Sequence, residues 1–118
     1  MATIAEASLS DAEREALDRF VSRLAESLGK DLVAVWLYGS RARGEAPHEE
    51  SDIDVIVLTR GGEEDSLLAT RAALASGEAG LRIAPITTTR EWIESRRAID
   101  SFFLRELDRD KIVLFGER

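Results

Sequence analysis

The sequence predicts an α/β (α+β) fold: a mixed, largely antiparallel central sheet flanked by helices. Three observations carry this. Leu32–Tyr38 is apolar on both alternating faces, which fits a central strand covered on both sides. A second strand-like run, Ile53–Thr59, follows after a connection too short for a long crossover helix, so the two strands are expected to be antiparallel neighbours. Apolar residues at helical spacing occur before and after this pair.

The elements follow in order. Residues 1–9 read as a lead-in. Ser10-Asp11-Ala12-Glu13 is a capping-box pattern, and Leu17, Phe20, Val21, Leu24 and Leu28 recur behind it at helical spacing. Gly29 is the expected stop. After the first strand, Gly39–Ser51 is polar, with one turn of helix expected within Ser40–Arg43. Gly61-Gly62 reads as a loop and Asp65–Ser76 as a helix with Leu67, Leu68, Ala72 and Ala75 inward, ended by Gly77 and Gly80. Leu81–Thr87 is the expected third strand. Thr88 or Thr89 can cap a helix through Trp92 and Ile93. Ile99, Phe102, Phe103 and Leu107 suggest another helix, and Lys111–Phe115 a terminal strand. Trp36, Tyr38, Phe102 and Phe103 are expected in the core.

The 118 residues fit one domain, expected to span 1–118. With no cysteine there is no disulfide framework, thiolate metal site or cysteine nucleophile. The beginning of the chain shows no signal-peptide pattern and no apolar run approaches a membrane span, so a cytoplasmic location without membrane contact is expected. A formal net charge of −7 argues against a nucleic-acid partner, which calls for a basic face. It leaves room for a small anionic substrate at a locally positive site.

Chemistry concentrates in Gly39-Ser40-Arg41-Ala42-Arg43-Gly44 and Ser51-Asp52-Ile53-Asp54. Gly39 has no Cβ, so a ligand can approach its backbone, and Ser40 can give an N–H and a hydroxyl to a phosphate oxygen. Arg41 and Arg43 carry guanidinium forks suited to phosphate; the alternatives are solvated charges or, for Arg43, bracing the loop through a carboxylate. Asp52 and Asp54, one apart on a strand, share a face and repel unless a cation lies between them. Oxygen ligands of this kind suit Mg²⁺. A solvated strand end is the plain alternative, but Asp54 lies inside an apolar run where Asp is poorly suited. Ser51 reads as a local backbone cap. His48, in a polar loop beside Pro47, reads as solvated.

Together these residues resemble the signature of minimal nucleotidyltransferases of the DNA polymerase β-like superfamily: Gly-Ser, a small Arg-Gly element, a loop, then Asp-x-Asp opening a strand. The order of elements from Ser10 to Phe115 also resembles the whole minimal domain. The resemblance implies transfer of a nucleoside monophosphate from ATP or another nucleoside triphosphate to an acceptor hydroxyl. It implies that Gly39 and Ser40 hold the triphosphate, with Arg41 and Arg43 as candidate phosphate contacts beside them, and that Asp52 and Asp54 bind Mg²⁺ and carry catalysis. It further implies an antitoxin role beside a helical HEPN-type partner protein, whose surface would supply the acceptor; a homodimer is also compatible with so small a domain. One departure stands out. The resemblance implies a third carboxylate on a later strand, yet Leu81–Ile86 contains none, and Arg82 or Ala84 occupies the position. Glu50, Glu63 or Glu64 could substitute. The competing reading is a nucleotide- and metal-binding module that acts on a partner by contact, without catalysis.

Overall fold

The computed structural model describes residues 7–45, 52–76 and 82–118. Ser51, His48, Pro47, Glu50, Leu81, Gly77, Gly80 and the first part of the lead-in lie outside the described residues.

Helix α1, Asp11–Leu28, begins at the capping box: the Glu13 N–H donates to Ser10 Oγ (3.1 Å) and the Ser10 N–H to Glu13 Oε1 (2.9 Å). Gly29 closes it with a φ of 52°, a left-handed value that suits glycine. A short 3₁₀ turn, Gly29–Asp31, leads into β1, Leu32–Leu37. Strand β2, Ile53–Thr59, is followed by a 3₁₀ turn over Gly62–Asp65 and by α2, Ser66–Ser76. Then come β3 (Ile83–Thr88), α3 (Arg90–Ala98), α4 (Phe102–Asp110) and β4 (Ile112–Gly116). Of the two possible caps of α3, Thr89 serves: its Oγ1 accepts the Trp92 N–H at 3.1 Å. No helix among the described residues is long and apolar enough to cross a membrane.

The sheet order is β3-β2-β1-β4. β1 runs antiparallel to both β2 and β4, and β2 runs parallel to β3, so the sheet is mixed and mostly antiparallel as predicted. β3 is an edge strand, where Pro85 can lack an N–H without breaking a ladder. One sheet face packs Val35, Leu37, Val55 and Val57 against Leu17, Phe20 and Leu24 of α1 and Ala69 and Ala73 of α2. The other packs Trp36, Ile56 and Leu58 against Ile93 of α3 and Leu104 and Leu107 of α4. Both faces are covered, which explains why the strands read as continuous apolar runs. Trp36 is fully buried and its indole N–H donates to the Glu117 carbonyl at 2.7 Å.

Two expectations about the core are corrected. α2 turns Ala69, Ala72, Ala73 and Ser76 inward, not Leu67, Leu68 and Ala75; Leu67 is 59% and Leu74 77% exposed. The helix is apolar nearly all round, so periodicity does not select a face, and the small residues let its axis sit close to α1 and β3. Arg19 fixes this seat by donating from Nη2 to the Ser76 carbonyl at 2.9 Å. Phe102 and Ile99 lie at the α3–α4 corner, 69% and 67% exposed, and are not core residues. The corner turns through Asp100 at a positive φ.

Candidate nucleotide and metal site

Antiparallel pairing brings the end of β1 beside the start of β2. Leu37 pairs with Val55, and the Tyr38 N–H donates to the Asp54 carbonyl at 3.0 Å. The chain leaves the strand at Gly39 with a φ of 79°. A Cβ at this position would stand 2.6 Å from Asp54 Oδ2, closer than contact allows. The backbone angle favours glycine, and any side chain here would also push the Asp54 carboxylate oxygen aside. The bend continues as one turn: the Arg43 N–H donates to the Gly39 carbonyl (3.2 Å), and the Glu45 N–H to the Ser40 carbonyl (3.1 Å). Where one turn of helix is expected over Ser40–Arg43, the chain forms a hydrogen-bonded turn of mixed spacing and no helix.

The Asp54 carboxyl is pushed above the ordinary carboxylate range, chiefly by burial and then by the negative charge of Asp52; Arg43 opposes the shift. Burial and the Asp54 charge push the Tyr38 hydroxyl up to about 12. Asp52 Oδ1 is buried without a hydrogen-bond partner. An orphaned carboxylate oxygen beside a second, half-buried carboxylate is a donor set short of positive charge. Its oxygens suit a hard divalent cation, so the residues present fit a magnesium ion. Among the described residues no cluster of three or more acidic, histidine or cysteine side chains forms.

The two arginines part company. Arg43 is largely exposed and forks onto Glu45, with Nε at 3.1 Å from Oε1 and Nη2 at 3.3 Å from Oε2, and with Asp110 3.8 Å away. Arg41 points the other way: it is 6% exposed, ion-paired to Glu13 Oε2 at 2.7 Å, and donates to the Ser8 carbonyl at 3.0 Å. The expectation of a phosphate contact from Arg41 does not match this placement. Its guanidinium is drawn inward because Glu13, the buried acid of the capping box, needs a cation. Glu13 thus ties the start of α1 to the site loop, a role the capping pattern alone did not reveal.

A cavity of about 130 Å³ opens beside Gly39, lined by Tyr38, Arg43, Phe103, Glu106 and Asp110. Tyr38 and Phe103 meet edge to face, ring centres 5.9 Å apart. The α4 carboxylates come from a part of the sequence with no motif; only the fold brings them to the loop. A larger hollow among the described residues, about 510 Å³ between α1 and β4, contains none of the motif residues.

The third strand resolves the remaining question. Parallel register places Ala84 beside Asp54, so of the two candidates for the carboxylate position Ala84 is its neighbour. Glu63 and Glu64 lie in the 3₁₀ turn beyond the far end of β2 from Asp54.

Comparison with known proteins agrees with this picture. No curated protein is significantly similar in sequence. Solved structures that share the fold include two from toxin–antitoxin systems. A toxin–antitoxin with AMP-PNP is 20% identical, with 84% of this chain and 73% of that chain covered and a TM-score of 0.55. A mutant of the toxin–antitoxin MntA-HpeT is 15% identical, with 83% and 72% covered and a TM-score of 0.51. Residues 17–111 match the nucleotidyltransferase domain family, which is most of the chain. With a Gly-Ser bend packed on an Asp-x-Asp strand at the centre of that span, the chain belongs to the nucleotidyltransferase domain family.

Proposed function

We propose that this chain transfers a nucleoside monophosphate, AMP from ATP in the first instance, to a hydroxyl of a partner protein or small molecule. The observation that carries the reading is the Asp54 carboxylate filling the space where a side chain at Gly39 would stand, together with the orphaned Asp52 oxygen. It sets the residues we assign to phosphate beside those we assign to the cation.

Asp52 and Asp54 are the residues that would hold magnesium. When bound, magnesium supplies charge neutralisation on the phosphoryl oxygens, the main requirement of this chemistry. Gly39 gives up its side-chain space to the Asp54 carboxylate, and Ser40 next to it offers its N–H and hydroxyl to phosphate. Arg43 stands at the rim with its fork on Glu45, an exposed pair that a phosphate can replace at little cost. Arg41 positions the loop from behind through Glu13. The acceptor hydroxyl gives up its proton to water as its oxygen bonds to the α-phosphorus; the bond from that phosphorus to the bridging β-phosphate oxygen breaks, and pyrophosphate leaves with that electron pair.

The partner we favour is a HEPN-type helical protein, with this chain as the antitoxin in the cytoplasm. Support comes from the motif resemblance and from folds shared with chains of toxin–antitoxin complexes, one of them with AMP-PNP. A second reading is favoured by one observation, the alanine beside Asp54. It holds that the chain binds nucleotide and restrains its partner by contact alone. Incubation with labelled triphosphates and magnesium, with and without the co-expressed partner, separates the two. Label transfer that Asp52→Asn abolishes supports the enzyme. Folded, nucleotide-bound protein that never transfers label supports the binding module.

A further inference from the structure

We infer that Asp52 and Asp54 seat one divalent cation per bound triphosphate, because β3 presents Ala84 where a second cation would need a ligand. The inference rests on the nucleotide reading above and deepens it. β2 and β3 are parallel, and Asp54 pairs with Ala84, so the two residues point to the same face of strands about 4.8 Å apart. A carboxylate at 84 would stand within reach of the Asp54 carboxylate. Ala84 is half-buried and offers only a methyl group. Its neighbours on that side of the strand are no better: Arg82 before it is a cation, and Ile86 after it is apolar and 47% exposed.

Ligand supply points the same way. Two divalent ions in a phosphoryl-transfer site sit roughly 3.5–4 Å apart and repel. They persist when ligand oxygens flank both. Here the chain supplies two carboxylates, which with the triphosphate's own oxygens flank one ion. Among the described residues no third acid joins them. Of the other acids near the loop, Asp110 faces both Arg43 and Arg109, Glu106 lies 3.8 Å from Arg109, and Glu45, paired with Arg43 here, sits on the exposed rim and not on β2 or β3.

The test counts ions rather than turnover. The full chain, in molar excess over AMP-PNP, is titrated with Mn²⁺, and free Mn²⁺ is followed by electron paramagnetic resonance. Wild type is expected to take up one Mn²⁺ per bound nucleotide. Ala84→Asp is expected to take up two, with the second at least about tenfold tighter than any further Mn²⁺ on wild type. Ala84→Asn, of the same size without charge, is expected to stay at one. Two comparably tight ions on wild type overturn the inference, whatever the variants do. So does a folded Ala84→Asp that stays at one, or an Ala84→Asn that gains an ion. Absence of any Mn²⁺-dependent nucleotide binding has a different signature: it overturns the nucleotide reading, and this inference with it.

Discussion

Replacing Gly39 by alanine tests the site at its narrowest point. Two costs combine. Alanine at a φ of 79° sits in the left-handed region, worth about 1–2 kcal/mol. Its Cβ would stand 2.6 Å from Asp54 Oδ2, and clearing that overlap adds about 1–3 kcal/mol. The sum, about 2–5 kcal/mol, is a large share of the stability of a small domain and lowers Tm by roughly 8–20 °C. Gly29 provides the control. Its φ is 52° and nothing lies within 4 Å of the added Cβ, so Gly29→Ala carries the backbone cost alone. Urea unfolding of both variants should show Gly39→Ala as the more destabilising by about 1–3 kcal/mol. In an Asp54→Ala background this excess should disappear, because the overlap is gone. Metal-dependent triphosphate binding should weaken by at least about tenfold in Gly39→Ala, since Asp54 is displaced; that corresponds to about 1.4 kcal/mol. Equal losses at Gly29 and Gly39, or an excess that survives removal of the Asp54 side chain, would refute the reasoning.

Three further outcomes are expected. Glu13→Ala removes half of a buried ion pair and one arm of the capping box, and should cost about 3–5 kcal/mol in urea unfolding; a loss under about 1 kcal/mol would mean the pair does not anchor the loop. The Asp54 carboxyl is raised above its unfolded value, so the folded state holds that proton more tightly and stability from this group declines as pH rises through the folded pKa. Asp54→Asn should therefore raise Tm at pH 7 in the absence of metal and have little effect near pH 3, and a Tm change of opposite sign at neutral pH would contradict the assignment. On α2, Ala73→Leu overfills the inner face and should cost about 1–3 kcal/mol. Leu74→Gln on the exposed face should change stability by less than about 0.5 kcal/mol; reversed magnitudes would mean the helix faces the other way.

Local signals were legible in the sequence. Ser10 and Glu13 announce α1 because a capping box is written within four residues. The two-sided apolar runs of β1 and β2 announce a covered sheet. The short connection between them implies antiparallel neighbours, and the Gly39–Asp54 contact follows from that pairing. Information held between distant segments was not legible. The partner of Arg41 is Glu13, from the other end of a helix and a strand, and an arginine in a Gly-rich loop looks like a phosphate contact until that partner is in place. The choice between Arg82 and Ala84 depended on β2–β3 register, which no residue pattern fixes. The facing of α2 failed for a compositional reason. With apolar residues on every side, packing selects the alanines for closeness and leaves the larger leucines outside. Glu106 and Asp110 reach the cavity only because α4 folds over the end of β1.

The account depends on Asp52 and Asp54 acting as a cation seat beside a phosphate seat. Calorimetric titration of AMP-PNP into wild type and into Asp52→Asn/Asp54→Asn, each with and without Mg²⁺, tests this most directly. The account predicts Mg²⁺-dependent binding to wild type that falls by at least about a hundredfold, roughly 2.7 kcal/mol, in the folded double variant. Equal affinity with and without Mg²⁺, or a double variant that binds as wild type does, would contradict it.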